Sequence, residues 1–440
     1  MQTILVLGAG LSSTSLIKYF LDHSEKQPWL IRVGDIHPEN AIERIEGHPN
    51  GEAFLFDVHN VKQRSEEIGS AHIVISLLPA RMHHLVAESC VELGRNMVTA
   101  SYLSPAIKAL DQKARKKGIV LMNECGVDPG IDHMSAMQMI HRIRKEGGKL
   151  KAFESSTGGL VAPGFENNPW QYKFTWNPRN VVLAGQAGAR FLHNGKFKYI
   201  PYHKLFERYE IIKILDLGEF EVYPNRDSLT YQEEYGLQDI STMFRGTIRR
   251  KGFCEAWDAL VQLGATDDSY VVEFPGVMSY RDFTNSFLAY NIIDPVETKL
   301  ARYLGIDPDA EIMKKLEWLG LFERRKAAVQ DQTPARILQA LLEEKLTLDP
   351  GDKDMIVMQH QIEYQLEDQR HRTVSSMAIF GDDRVHTAMS KTVGLPVAIA
   401  AKLLLLDKIR LKGVHIPIHS EIYNPVMDEL EENGIRFTEE

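Results

Sequence analysis

Cysteine is scarce in this chain. Cys90, Cys125 and Cys254 form an odd, widely spaced set with no pairing at metal-ligand spacing, which argues against a disulfide framework or a zinc site and suits a reducing, cytoplasmic setting. An excess of positive charge is also lacking. The 51 basic residues are outnumbered by 60 acidic ones, and the formal charge of −9 is spread along the chain, so neither nucleic acid nor an anionic membrane is expected as the main partner. The most apolar late segment, Leu395 to Leu406, is broken by Lys402 and falls short of the roughly 20 residues a bilayer requires. The N-terminus has no basic stretch and no small-residue cleavage site, so Ile4 to Leu7 is expected to be a first strand rather than a secretory signal. Internal repeats and low-complexity tracts are absent too. What remains, 44% hydrophobic and 25% charged over 440 residues, is the make-up of a soluble protein of two or three domains with a small-molecule partner.

The first half carries a cofactor signature. Ile4 to Leu7 runs into Gly8-Ala9-Gly10, then Leu11, Ser12 and Ser13, then Leu16, Ile17, Phe20 and Leu21 on one helical face, a pattern of strand, glycine turn and helix. Such a turn seats a pyrophosphate against backbone amides at a helix N-terminus. Ser13 stands where a third glycine is usual. The next strand, Leu30 to Asp35, ends on an acid 22 positions after Ser13, the spacing of a ribose-binding carboxylate. A carboxylate there accepts from the adenosine 2′-hydroxyl and repels a 2′-phosphate, favouring NAD over NADP, although Arg32 and His37 flank it. Strands at Ala53 to Phe56, Ile73 to Leu77, Met97 to Thr99 and Ile119 to Met122 alternate with helical patterns at His84 to Leu93 and Pro105 to Lys117, which predicts a parallel, doubly wound Rossmann-type α/β sheet. Ligands bind such sheets at the carboxyl ends of the strands. That places Gly8 to Ser12, Asp35, Asp57, Val58, Leu77 to Pro79, Thr99 to Tyr102, Val127 and Asp128 around one crevice.

The stretch Asn123 to His133 reads as a tight loop feeding a helix from about Asp132 to Lys145. Beyond it, strand-like segments at Lys149 to Ser156, Val181 to Ala184 and Phe197 to Ile200 predict an α+β domain. Arg226 and the Arg245 to Arg249 segment sit in turn-like or strand-end surroundings, where a guanidinium fork suits carboxylates. From about Asp267 to Asp349 the pattern turns helical, with Glu311 to Leu319 and the cap Thr333-Pro334. Strand patterns return at Met355 to Leu366 and Thr373 to Phe380, followed by an apolar helix at Val393 to Leu406. The expected domains are residues 1–130 plus about 385–440 for the dinucleotide, 131–266 plus about 350–384 for an α+β substrate and dimerisation domain, and an inserted helical subdomain at 267–349.

Taken together, Leu7 to Gly10, Val74 to Pro79, Thr99 to Tyr102, Gly126 to His133, Gly158 to Leu160, Tyr223 to Ser228, Arg245 to Arg249 and Ala388 to Gly394 resemble, in that order, the glutamate-forming saccharopine dehydrogenases. With Val33 to Asp35 and Asp354 to Met358, they resemble more closely the NAD-using branch that degrades lysine. The resemblance implies that Ser101, Tyr102, Asp128, Pro129, Arg226, Thr247, Ile248 and Arg249 line a saccharopine pocket. It likewise implies that Ala9 to Ser12, Asp35, Asp57, Val58, Leu77 and Val127 hold the dinucleotide, and that the protein is a homodimer. Thr157, Val161 and Phe253-Cys254 depart from the family pattern and leave the exact substrate open.

The reaction implied is oxidation of saccharopine to glutamate and 2-aminoadipate 6-semialdehyde with NAD, NADP being the alternative cofactor, and with no metal. Asp128 is expected to orient the amine or activate water, with Tyr102 as a second proton-relay candidate and His133 a third. For Asp128 the competing role is a cap for the helix near Asp132. Two alternatives stand beside this reading. One is a related imine reductase of the carboxynorspermidine type, whose amine-rich substrate would want acids where Arg226 and Arg249 stand. The other is a catalytically silent dinucleotide-binding protein.

Overall fold

The computed structural model describes residues 1–440, which divide into two compact units: Met1–Leu150 with Gln365–Arg370 and Met377–Thr438, and Lys151–Tyr364 with His371–Ser376 and Glu439–Glu440.

In the first unit the strands β1 (Gln2–Leu7), β2 (Trp29–Asp35), β3 (Gly51–Leu55), β4 (Ile73–Ser76), β5 (Asn96–Val98) and β6 (Val120–Met122) form a parallel sheet with a seventh strand, Gly413–His415. From edge to edge the order runs Gly413–His415, β6, β5, β4, β1, β2, β3. This is the expected doubly wound architecture. Ile4 to Leu7 and Ile73 to Ile75 are fully buried, as strands covered on both faces must be. The helix Thr14–Ser24 turns Leu16, Ile17, Phe20 and Leu21 inward, and the helix Ala388–Leu405 packs along it. That later helix is longer than expected, and by length and composition it could cross a membrane, yet most of it is buried inside its own unit. Pro105 to Lys117 is two helices, Pro105–Lys108 and Asp111–Lys117, rather than one.

The second unit is built on a sheet ordered Glu210–Lys213, Glu219–Pro224, Thr242–Arg250, Lys149–Val161, Asp354–Leu366, Gln369–Phe380 and Thr438–Glu439. Thr242–Arg250 runs antiparallel to Glu219–Pro224 and parallel to Lys149–Val161.

Three expectations are corrected. The first unit extends to Leu150 rather than 130, because the helix Ile131–Lys145 packs against the helix Ser420–Glu432 and buries Met134, Met137 and Ile140. No separate helical subdomain exists at 267–349. Its helices Val296–Leu304, Glu311–Leu319 and Pro334–Leu346 share one apolar core with Trp170, Tyr172, Trp257 and Leu260 and cannot be detached without opening it. Val181 to Ala184 is not a strand: Asn177 caps the Arg179 amide and Pro178 opens a short helix, Pro178–Val182.

Candidate active site

Every strand of the first sheet is parallel, so the loops after Leu7, Asp35, Ser76, Val98 and Met122 gather along one edge. Gly8 opens the first of these with φ +103, and a side chain there would meet the Leu77 carbonyl oxygen at 2.8 Å. Beyond Gly10 the space is open, and Leu11–Ser13 begins its helix with no side-chain cap. A turn with open room beside uncapped amides fits a dinucleotide pyrophosphate. Asp35 closes the turn from β2: its Oδ2 accepts from the Ala9 amide at 2.6 Å and its Oδ1 from the His37 amide at 2.9 Å. The task of the missing third glycine, close packing behind the turn, falls to Gly394, where an added Cβ would lie 2.9 Å from the Leu16 nitrogen and 3.2 Å from the Ser12 oxygen. Ser390 Oγ accepts from the Ser15 amide at 2.9 Å beside it.

The two basic residues flanking Asp35 are differently placed. Arg32 is paired with Glu52 at 3.0 Å and with Glu67, and lies over the Phe54 ring. His37 is exposed beside Glu39 at 3.4 Å. Asp57 and Val58 stand at the loop after β3. The Asp57 carboxylate accepts from the His59 amide at 2.9 Å within its own turn, and Val58 is buried in the core beneath the sheet.

At the other side of the same edge, two loops are laced together. Cys125 N donates to Thr99 O and Glu124 N to Ser101 O, each at 3.1 Å, while Leu103 N donates to Glu124 Oε1 at 2.8 Å. Glu124, in a left-handed conformation at φ 60, holds His133 Nε2 at 2.8 Å through its other oxygen. Both side chains are buried. The lacing brings Tyr102 to Asp128, with the phenol oxygen 3.5 Å from Oδ1, next to the cis Asp128–Pro129 bond. The helix Ile131–Lys145 starts from Gly130 with no side-chain cap, and Asp132 in its first turn accepts from Gly130 N at 2.6 Å and His133 N at 2.8 Å. Thr99 and Val127 are buried behind these loops, and Ser101, Tyr102 and Asp128 are partly exposed.

In the second unit, strand register aligns Thr157, Thr247 and Tyr223 in one row and Glu221 with Arg249 in another. Glu221 does not pair with Arg249. Its carboxylate accepts from the Gly252 amide at 2.5 Å and the Cys254 amide at 2.8 Å, holding the start of the helix Phe253–Leu263. Arg249 is therefore a cation with 3% exposure and no ion pair. Nη1 donates to the Ile248 oxygen at 2.9 Å, Nε has no partner, and the rings of Tyr172, Tyr223 and Phe253 stand 5.2–5.8 Å from its guanidinium carbon. Burial pushes the Tyr172 and Tyr223 phenols up, while the Arg249 charge pulls them down. The Tyr172 hydroxyl and Thr157 Oγ1 are buried without hydrogen-bond partners. Ile248 is buried, and the bond to Arg249 uses its backbone carbonyl rather than its side chain. Arg226 is exposed at φ 52, just past the residue whose amide bonds the Arg245 oxygen. Arg245, which pairs with that neighbouring Asn225, lies roughly 14 Å along the strand from Arg249 at about 3.4 Å per residue.

Neither Glu124 nor His83, whose ring bonds Ser76 and Ser101, was legible as a site residue in the sequence. The signal available for Glu124 was its place beside the turn at Gly126; for His83, half of a His-His doublet, no local signal exists.

Comparison with known proteins agrees with this geometry. The family model described as "Saccharopine dehydrogenase NADP binding domain" matches residues 4–122, and "Saccharopine dehydrogenase C-terminal domain" matches residues 126–435. The chain is 32% identical to "Saccharopine dehydrogenase [NADP(+), L-glutamate-forming]" of Schizosaccharomyces pombe, covering 100% of this chain and 99% of that protein. It is 34% identical to "Alpha-aminoadipic semialdehyde synthase" of Arabidopsis thaliana, covering 99% of this chain but only 44% of that longer protein. Among solved structures, apo saccharopine dehydrogenase (L-Glu forming) from Saccharomyces cerevisiae superposes with a TM-score of 0.91 at 31% identity, over 100% of this chain and 99% of that one. Homospermidine synthase from Legionella pneumophila, at a TM-score of 0.60 and 10% identity, shares the fold alone. Two domain matches that run nearly end to end, with relatives above 30% identity along their whole length, make this chain a member of the saccharopine dehydrogenase family.

Proposed function

We propose that this chain oxidises saccharopine to L-glutamate and 2-aminoadipate 6-semialdehyde, or runs the reverse reduction, with NAD as its preferred dinucleotide. The observation that carries the substrate reading is Arg249, a buried guanidinium left without a carboxylate of its own. An unpaired buried cation is costly, and a tricarboxylate ligand would relieve that cost. A polyamine-type substrate would find the wrong charge there, which disfavours the carboxynorspermidine-type alternative. A silent binding protein is disfavoured because the Tyr102–Asp128 pair lies on the same sheet edge as the glycine turn.

NAD is favoured because Asp35 faces the turn and the Arg32 guanidinium is already held by two glutamates rather than free for a 2′-phosphate. The names of the fungal relatives and of the matching N-terminal domain read NADP, which speaks for the other dinucleotide.

A bound dinucleotide would supply the hydride acceptor for the carbon beside the secondary amine of saccharopine. The Gly8 to Ser12 amides and Asp35 would hold its pyrophosphate and ribose. Asp128, as the carboxylate, would either orient the amine or activate the water that splits the imine, with Tyr102 steadying the carboxylate. Arg249 and Arg226 would hold the carboxylates, fixing the reacting carbon in place. The test is absorbance of reduced nicotinamide when saccharopine meets NAD or NADP, with the amino-acid product identified. NADH with glutamate is the expected result. Reduction of NADP alone would overturn the Asp35 argument, lysine as product would mean the other C–N bond is cut, and no reduction would overturn the assignment.

A further inference from the structure

His83 opens the helix His83–Leu93 with 2% exposure, and both ring nitrogens are engaged. Nδ1 lies 2.8 Å from Ser76 Oγ at the end of β4, and Nε2 lies 2.7 Å from Ser101 Oγ in the loop after β5. A neutral imidazole has one donor nitrogen and one acceptor nitrogen, so this chain of three groups has a direction. Ser76 sets it. Its hydroxyl is fully buried and has His83 as its sole partner, so it must donate to Nδ1 or be left with an unsatisfied hydrogen. Nε2 then carries the ring proton and donates to Ser101. One lone pair of the Ser101 oxygen is thereby occupied, its hydroxyl hydrogen has no acceptor within the chain, and the residue is partly exposed at the crevice edge. Burial pulls the His83 imidazole down to about 4, which keeps the ring neutral and the direction fixed at ordinary pH.

We propose that His83 is a positioning residue that orients the Ser101 hydroxyl to donate its hydrogen to an acceptor oxygen of the bound ligand. Rotated freely, a serine hydroxyl serves donor and acceptor alike. Held by Nε2–H, it favours carboxylate or carboxamide oxygen over an amine in that place. This deepens the saccharopine reading at the same site, yet the imidazole tautomer can be read without any turnover.

Two measurements test it. In the full-length protein labelled with ¹⁵N-histidine, the His83 ring is expected as the Nε2–H tautomer and neutral from pH 5.5 to 8. An Nδ1–H tautomer, or titration near the ordinary histidine value, overturns the proposal even if saccharopine proves not to be the substrate. In kinetics, His83→Leu and Ser101→Ala should each weaken one ligand about five- to tenfold, the value of a lost hydrogen bond. The double variant should be no worse than Ser101→Ala, and His83→Gln, whose amide can replace Nε2–H, should recover most of the loss. A raised KM for saccharopine with unchanged NADH binding by fluorescence assigns the oxygen to a substrate carboxylate; weakened NADH binding assigns it to the nicotinamide carboxamide. Additive losses in the double variant, or unaltered constants in Ser101→Ala, overturn the proposal.

Discussion

Replacing Arg249 by methionine should make the protein weaker as a binder and no less stable. A guanidinium with 3% exposure has lost its hydration, at an effective cost of several kcal/mol. Against this stand three aromatic faces at 5.2–5.8 Å, about 0.5–2 kcal/mol each, and one charge-assisted bond to the Ile248 oxygen, about 1.5–3 kcal/mol. The opposing contributions nearly cancel. Methionine has similar length, carries no charge and packs well on aromatic rings, so Arg249→Met should leave stability unchanged or raise it by up to about 2 kcal/mol. In a domain of this size each kcal/mol moves Tm by about 2–4 °C. Binding should move the opposite way: loss of one charged hydrogen-bond pair to a carboxylate costs about 1.5–3 kcal/mol, a rise of roughly 10- to 150-fold in KM for saccharopine. The assays are a thermal melt and steady-state kinetics at saturating NAD. A variant that melts many degrees lower yet keeps its KM would refute the reasoning, because Arg249 would then be a scaffold residue paired in a way the geometry does not record. Arg249→Lys should not rescue binding, since a point charge cannot replace the planar fork.

Asp128→Asn should lower kcat far more than it weakens NADH binding; equal kcat in mutant and parent would remove Asp128 from the chemistry. Asp35→Asn keeps an acceptor for the Ala9 amide but drops the charge, so the NAD-to-NADP ratio of kcat/KM should fall about tenfold or more, and an unchanged ratio would count against its role. Gly394→Val forces a side chain against the Leu16 and Ser12 backbone, so it should destabilise by about 1–3 kcal/mol and raise the KM for dinucleotide while leaving the saccharopine KM nearly constant. His83 is neutral when folded and titrates near 6.5 when unfolded, so between pH 6.5 and about 4 the unfolded chain binds the extra proton and stability falls with falling pH, by on the order of 3 kcal/mol across that window. The urea midpoint of His83→Gln should therefore drop less steeply with acid than that of the parent, and parallel profiles would contradict the burial argument.

The parallel sheet was legible because Ile4 to Leu7 and Ile73 to Ile75 are unbroken apolar runs and turn residues punctuate them. Asp35, Tyr102 and Asp128 were legible for the same reason: each stands at a strand end or in a turn whose position the alternation dictates. What escaped depended on partners far along the chain. Gly394 lies hundreds of residues from the turn it supports, and nothing around it in sequence marks a close approach. The Gly413–His415 strand is three residues long, too short for periodicity to register. Val181 to Ala184 misled because a short apolar run fits strand and helix equally, and the cap at Asn177 carried the decisive information. Arg249 was visible as a guanidinium, but its lack of an acid could not be seen until Glu221 was found holding helix amides instead.

The seventh strand has a consequence for synthesis. As the ribosome delivers this chain, β6 emerges with its outer edge open, and the strand that will cover it is almost three hundred residues away. Over that interval the nascent dinucleotide domain also lacks the helix that backs its glycine turn. Binding competence therefore arrives late and all at once, so a ribosome-bound chain stalled anywhere before residue 388 should bear an unguarded edge, attract chaperones and ignore its cofactor.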